Sequence, residues 1–423
     1  MGEGKVTGWE NRVEMTRRCA VPAHIRIGTR GSALAQAQTD LFIGRLQEAY
    51  PQITCEKVII KTAGDKILDK PLQAFGGKAV FVSEFEEAIL NGEIDYAVHS
   101  AKDMPMELAG GLAVVCVLPR EDVRDVLLTR RGTQIEKLKE AVIGTGSLRR
   151  QSQIAALYPN VRCESLRGNV TTRIQKLKDG GYDGIILAAA GLRRLGLDCD
   201  EELSYQYLDV EQMLPAGGQG IIAIEGRTDG QEFLQAVTDE RAALALTVER
   251  DILRRLDAGC HEAVGVYAEV TDAPVQAEKS VAEGKKSRAA DEEICIRIFR
   301  EQDGILCHQK ESASVTEWQT LAAGLVKKLC DDAPGKGKAP ECAGKRKSAR
   351  MRREKEKRQN APGKEDEPET RQNAPGKGNA PERAGMERKI KEACGHGKGD
   401  IDRSGTGRRI AHYGQRTGKI KVL

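Results

Sequence analysis

Two stretches, IRIGTRGSALAQAQ (25–38) and AVIGTGSLRRQSQI (141–154), follow one plan: an apolar strand, Gly-Thr, a Gly/Ser turn, then a helical pattern. NGEIDYAVHSA (91–101) and GGYDGIILAAA (180–190) form a second matching pair, each running from a glycine turn through Asp into a strand ending in small residues. Strands that alternate with helices build βα layers, and a plan that occurs twice predicts two such domains of like build. Ser32 and Ser147 stand where the N-caps of the following helices belong.

A third unit runs over 238–330: the helix DERAALALTVERDILRRL, the loop DAGCHE, a strand EICIRIF and a closing helix TEWQTLAAGLVKKLC. It reads as a small α+β domain. Beyond it, RQNAPGK occurs twice and GKGKAPE is echoed by GKGNAPE. Residues 331–423 hold 25 Lys+Arg against 14 Asp+Glu, leaving 42 basic and 49 acidic residues in the rest. Such a Gly/Pro/Lys/Glu tail is too poor in apolar residues to offset chain entropy, so a disordered basic tail is expected. Its last residues, GKIKVL, look like the start of a strand. Eleven scattered cysteines with no C-x-x-C speak against zinc and a disulfide framework and for a reducing compartment. Residues 1–23 read as a flexible extension, with Met15 an alternative start, and no apolar run approaches a membrane span.

The two matching strand ends differ. The second closes in bland LAAAGL; the first closes in His99, Ser100, Lys102 and Asp103, stopped by Pro105. In open α/β sheets, ligands sit beyond the carboxyl ends of the strands, so a polar cluster there points to chemistry. Arginines gather at the same edge: Arg30, Arg149, Arg150, Arg167, Arg173, Arg193 and Arg194. Several stand at helix starts, where the macrodipole disfavours cations by about 0.3–1 kcal/mol each. Repetition against that preference suggests that they hold a ligand with dispersed carboxylates. No Walker motif or complete dinucleotide fingerprint is present. Cys260, in the loop beside His261 and Glu262, is a nucleophile, an attachment point or an idle thiol, and no local motif chooses among them.

HSAKDMP, GTRGSALAQAQ, KTAGDKILDKPL, GTGSLRRQ, LRGNVTTRI, AAAGLRRLGL, PAGGQG and LDAGCHEAVGVYA together resemble the hydroxymethylbilane synthase (porphobilinogen deaminase) family, in unbroken order over about 24–330. The resemblance implies an α/β fold with two periplasmic-binding-protein-like βα domains, 24–118 with 214–235 and 119–213, plus the small α+β domain 238–330. It implies a transferase that joins four porphobilinogens head to tail, releasing ammonia, on a dipyrromethane held by a thioether to Cys260. Asp103 matches the catalytic aspartate. Lys102, Arg30, Arg149, Arg150, Arg167, Arg173 and Arg194 match positions that bind acetate and propionate groups, and Ser32, Lys61, Asp65, Lys78 and Ser147 fall in supporting motifs. No metal, nucleic acid or membrane is implied. The expected enzyme is a cytoplasmic monomer, with the next tetrapyrrole-pathway enzyme as a candidate partner.

Four departures from the family pattern stand out. GGKAVFVSEFE has Ala79 for a glycine and Ser83 for a lysine, although Ser83 with Glu86 is expected to make a capping box. Met104 replaces a usual valine. Ala263 replaces a common proline, with a looser cofactor loop expected. Two rival readings remain: a non-catalytic two-domain clamp for polycarboxylates, and a cysteine-dependent transferase without cofactor.

Overall fold

The computed structural model describes residues 21–62, 82–229, 231–258, 262–273, 292–331 and 420–422. The chain first lays down β1 (His24–Thr29), α1 (Ala33–Ala49), β2 (Thr54–Ile59), α2 (Ser83–Leu90), β3 (Tyr96–Ser100) and β4 (Leu112–Val117). It then crosses into β5 (Asp125–Arg130), β6 (Ala141–Gly144), α3 (Leu148–Leu157), β7 (Val161–Glu164), α4 (Val170–Lys178), β8 (Gly184–Ala188), α5 (Ala189–Arg194) and β9 (Leu203–Leu208). Strand β10 (Ile222–Arg227) goes back to the first sheet, between β3 and β4 and antiparallel to both. The second sheet runs β7-β6-β8-β5-β9, with β5 antiparallel to β8 and β9. Both sheets therefore share one order, second-first-third-crossing-fourth. In each, the antiparallel strand is the first after the chain arrives from the other domain. That common order is the structural basis of the echo in the sequence.

The packing follows the patterning. Ile25 and Ile27 of β1 are buried against Phe42 and Leu46 of α1. Ser32 caps α1, its hydroxyl accepting from Ala35 N at 3.3 Å, and the helix ends at Ala49, its cap residue Tyr50 standing before Pro51, where proline disfavours helical backbone. Ser147 also stands at its expected cap position, whereas the box at Ser83 does not form. Ser147 occupies the cap position of α3 without a side-chain bond, its backbone N–H instead donating to Thr145 Oγ1 at 3.3 Å. Ser83 lies inside α2, and Glu86 reaches across to accept from Ala109 N at 2.8 Å, so no capping box forms.

The third domain packs α6 (Glu240–Arg255) and α7 (Trp318–Asp331) on the antiparallel sheet β11 (Val264–Asp272), β12 (Glu292–Gln302), β13 (Ile305–Ser314). Alternate residues Ile294, Ile296 and Ile298 meet Val248 and Ile252 of α6 and Leu325 of α7. On the opposite face Phe299 and Tyr267 pack with Leu214 of the second crossing. The disordered-tail expectation falls mostly on 332–419, outside the described residues. Within that tail, however, Ile420–Val422 forms β14, pairing in parallel with Lys57–Ile59 at the edge of the first sheet. An edge strand offers unpaired N–H and C=O groups, and a short β-branched segment can complete them.

The two crossing segments clasp each other. Leu118 N donates to Ile222 O at 3.0 Å and Glu121 N to Gly220 O at 3.1 Å. Gly220 has φ +86°, and a Cβ there would lie 2.4 Å from the Glu121 carbonyl oxygen, so only glycine fits.

Candidate active site

The carboxyl ends of both sets of parallel strands face one cleft. Lys102 reaches it from the end of β3, Arg150 from α3, Arg173 from α4 and Arg194 from α5, with Gly218 and Gly220 of the second crossing as its floor. Asp103 is exposed, while its flanking residues Ala101 and Met104 are buried at 3% and 1% exposure. Ala101 N donates to Ile221 O at 3.0 Å. Gly218, at φ +78°, packs so closely that a Cβ would lie 2.9 Å from Lys102 N. The turn carrying Lys102 and Asp103 is thus fixed by backbone and core contacts, leaving the carboxylate of Asp103 in water.

Behind the cleft wall lies a buried charge cluster. Asp125, fully buried at the start of β5, meets Arg149 Nη1 at 2.8 Å and accepts from Arg150 Nη2 at 2.7 Å. Arg149 also donates to Leu214 O at 2.6 Å and Arg150 to Ile186 O at 2.9 Å. Burial alone would raise the Asp125 carboxyl, but Arg149 and Arg150 outweigh it and hold the group well below the usual carboxylate range. Gln219, itself buried, links this cluster to the first domain. Its amide nitrogen donates to Asp125 Oδ1 at 3.0 Å and Val123 O at 2.7 Å, and its oxygen faces Lys102 Nζ at 3.4 Å.

The cleft cations themselves find mainly neutral acceptors. Arg194 Nη2 donates to Gly220 O at 2.6 Å and Arg173 Nε to Gly168 O at 2.8 Å. Burial pulls Lys102 down to about 8, opposed by Asp103 and helped by Arg150. It pulls Arg194 down to about 10 and lowers Arg173 as well. These groups are dehydrated without enough negative charge around them.

The structure sorts the expected site residues. Lys102, Arg150, Arg173 and Arg194 line the cleft. Arg149 stands behind it, engaged by Asp125 and Leu214. Arg167 is near Arg173, lowering its pKa through like charge. Arg30 and Ser32 lie at the turn into α1, Lys61 is exposed just past β2, and Ser147 precedes α3. Asp65, Lys78 and Cys260 lie outside the described residues. Arg193, which the sequence grouped with the anion holders, instead pairs with Glu121 at 3.0 Å and Asp122 at 2.9 Å. Sequence reading missed Asp125 and Gln219; the GGQG block was visible, but nothing local marks which buried cation its glutamine serves.

Comparison with known proteins agrees with this geometry. The profile described as "Porphobilinogen deaminase, dipyromethane cofactor binding domain" matches residues 25–235. A porphobilinogen deaminase of Lachnospira eligens is 49% identical over 255 residues, 59% of this chain and 85% of that protein. The chain belongs to the porphobilinogen deaminase family. Its likeness extends to the Geobacter metallireducens porphobilinogen deaminase, 41% identical over 74% of this chain and 92% of that one. It extends also to a probable porphobilinogen deaminase of Archaeoglobus fulgidus, 46% identical over 57% and 83%. Among solved structures, the periplasmic aliphatic sulphonate binding protein SsuA from Escherichia coli aligns at 16% identity over 56% of this chain and 71% of that one, with TM-score 0.31. That score is too low to bear on the fold, which rests on the strand order.

The buried cluster predicts a stability effect. Asp125→Asn leaves two guanidiniums buried without a countercharge, and breaking such a pair costs roughly 3–5 kcal/mol. The urea midpoint is expected to fall accordingly; an unchanged midpoint would contradict the pairing. Above the ordinary carboxylate range the stabilisation is fully present, and it is lost as pH falls through the lower native value of Asp125.

Proposed function

We propose that the cleft joins porphobilinogen units head to tail, releasing ammonia, to give linear hydroxymethylbilane. The observation that carries this reading is the convergence of Lys102, Arg150, Arg173 and Arg194 on one cleft beside the exposed Asp103. Lys102, Arg173 and Arg194 are half-buried and bonded to neutral acceptors, so an occupant rich in carboxylates supplies the negative charge that they lack. A dipyrromethane with acidic side chains fits that need. When bound through a thioether to Cys260, it supplies the nucleophilic pyrrole carbon on which the chain is extended.

Each protein group then has a role. Lys102, Arg150, Arg173 and Arg194 bind acetate and propionate groups of cofactor and substrate, with Arg30 and Arg167 as further carboxylate binders. Arg149 sets the charge balance behind the wall. The substrate C–N bond breaks as its protonated amine leaves as ammonia, and the Asp103 carboxylate stabilises the cationic carbon left behind. As the pyrrole carbon bonds to that carbon, Asp103 takes up the proton displaced from the pyrrole and can return it to the next amine. Ser32, Ser147, Lys61, Asp65 and Lys78 have supporting parts. Among the described residues no helix is long and apolar enough to cross a membrane. We place the enzyme in the cytoplasm as a monomer that needs no nucleic acid and hands its product to the next tetrapyrrole-pathway enzyme.

The titration of Lys102 tests the reading. Its cationic form binds carboxylate, and a bound carboxylate raises its pKa, so binding takes up a proton when the free group is neutral. Affinity therefore falls as pH rises above about 8. For ammonia release from porphobilinogen, kcat/KM should decline above that pH with a slope approaching tenfold per unit. Lys102→Met should lower kcat/KM and remove that inflection. An inflection unmoved in Lys102→Met would exclude Lys102 as the group, and binding without ammonia release would favour a non-catalytic clamp.

A further inference from the structure

Helix α6 of the third domain grips the Asp103 turn from both sides. Ala242 and Leu246 pack in one buried cluster with Ala101 and Met104, the residues flanking Lys102 and Asp103. One turn further on, Arg250 Nη2 donates to Pro105 O at 2.6 Å and Met106 O at 3.0 Å. Its Nη1 is buried with no hydrogen-bond partner. An arginine ordinarily keeps its head in water, so this one accepts a desolvation cost to hold two neutral carbonyls. The neighbouring Glu249, fully buried, accepts from Gly218 N at 2.6 Å and Ala268 N at 2.8 Å and pairs with Arg120 at 2.6 Å. Positions 242, 246, 249 and 250 recur at helical spacing, so one side of α6 meets both the Asp103 turn and the second crossing. The same helix ends at Arg255, turns through Asp257 in the left-handed region (φ 51°), and leads directly into the segment bearing Cys260.

We infer that Arg250 is a positioning residue for Asp103, so that a helix of the third domain sets the carboxylate at the cleft. The inference rests on the reading of Asp103 as the proton-transferring group. Arg250 touches no reacting atom. It holds the chain two and three residues past Asp103, where Pro105 already restricts the backbone. Charge-assisted bonds to two successive carbonyls fix that segment against sliding along α6. A small displacement of the turn should then slow the chemical step more than it weakens binding, because Lys102 shares the turn with Asp103 while Arg150, Arg173 and Arg194 of the second domain do not depend on Arg250.

The test compares Arg250→Met, Arg250→Lys and Asp103→Asn by steady-state ammonia release, intact mass and thermal midpoint. Arg250→Met is expected to lower kcat by about tenfold or more, misplacement of reacting groups being worth up to a hundredfold. KM should rise by much less than kcat falls, the covalent adduct should be unchanged, and Arg250→Lys, which retains a charged donor, should recover part of the rate. An unchanged kcat in Arg250→Met overturns the inference. So does a loss of activity that only tracks lost adduct or lost folded protein. If Asp103→Asn is inactive while Arg250→Met is normal, the positioning role alone fails. If Asp103→Asn turns over normally, the reading of Asp103 fails and takes this inference with it.

Discussion

Asp103→Asn is expected to abolish turnover while leaving the fold and the covalent adduct in place. The side chain is exposed at the cleft and no core contact depends on it, because Ala101 and Met104 carry the packing of the turn. The amide is nearly isosteric, but it can neither exchange a proton with the leaving amine nor balance a positive carbon. Lys102, the residue before it, adds to the loss: burial disfavours its charged form and the neighbouring carboxylate supports it, so the amide also weakens the cation that binds substrate carboxylate. Removing ~3 kcal/mol of transition-state stabilisation slows a step more than a hundredfold. The measurement is the single-turnover rate of ammonia release by folded protein carrying its adduct. Near-wild-type bilane formation would remove Asp103 from the mechanism.

Much of the architecture was legible because its signals are local. The strand–turn–helix echo is a matter of periodicity and glycine placement, and the shared strand order of the two sheets is its three-dimensional counterpart. The segment LPAGGQGIIAIEGR reads as a strand after a glycine turn, and it supplies β10 to the first sheet. Lys102, Arg150, Arg173 and Arg194 could be grouped because strand ends of one βα layer face one side. What could not be read was which polar groups would pair out of sight. Asp125 looks like any strand-leading acid, and only the fold brings it to Arg149 and Arg150 from across the second domain. Arg193 and Arg194 are adjacent in sequence, yet α5 turns one to the crossing segment and the other to the cleft. The missing capping box at Ser83 has the same cause: Glu86 accepts from Ala109 N, far from its helix start. Met104 looked like a mild change, and its burial against α6 explains why a long apolar side chain is tolerated there. Ala263, expected to loosen the cofactor loop, is buried, and its carbonyl accepts from Glu301 N at 2.9 Å; residues 259–261 themselves lie outside the described residues.

Cys260→Ser is expected to remove both the adduct and the activity. Without an anchor each extension becomes a bimolecular encounter, forfeiting the large effective concentration that attachment provides. Cys116 and Cys55, buried and half-buried in the first domain, are poor substitutes. Burial pushes the thiol of Cys116 up to about 12 and that of Cys55 up to about 11, so neither offers much thiolate. Cys260 instead follows the left-handed turn that ends α6, the helix that also holds the Asp103 turn. Intact-protein mass, taken before and after this substitution, tests the central claim most directly. The account predicts a mass above that of the polypeptide by one two-pyrrole unit, lost together with ammonia release in Cys260→Ser. An active protein at the bare polypeptide mass, or an adduct that survives in Cys260→Ser and maps to another cysteine, would contradict it.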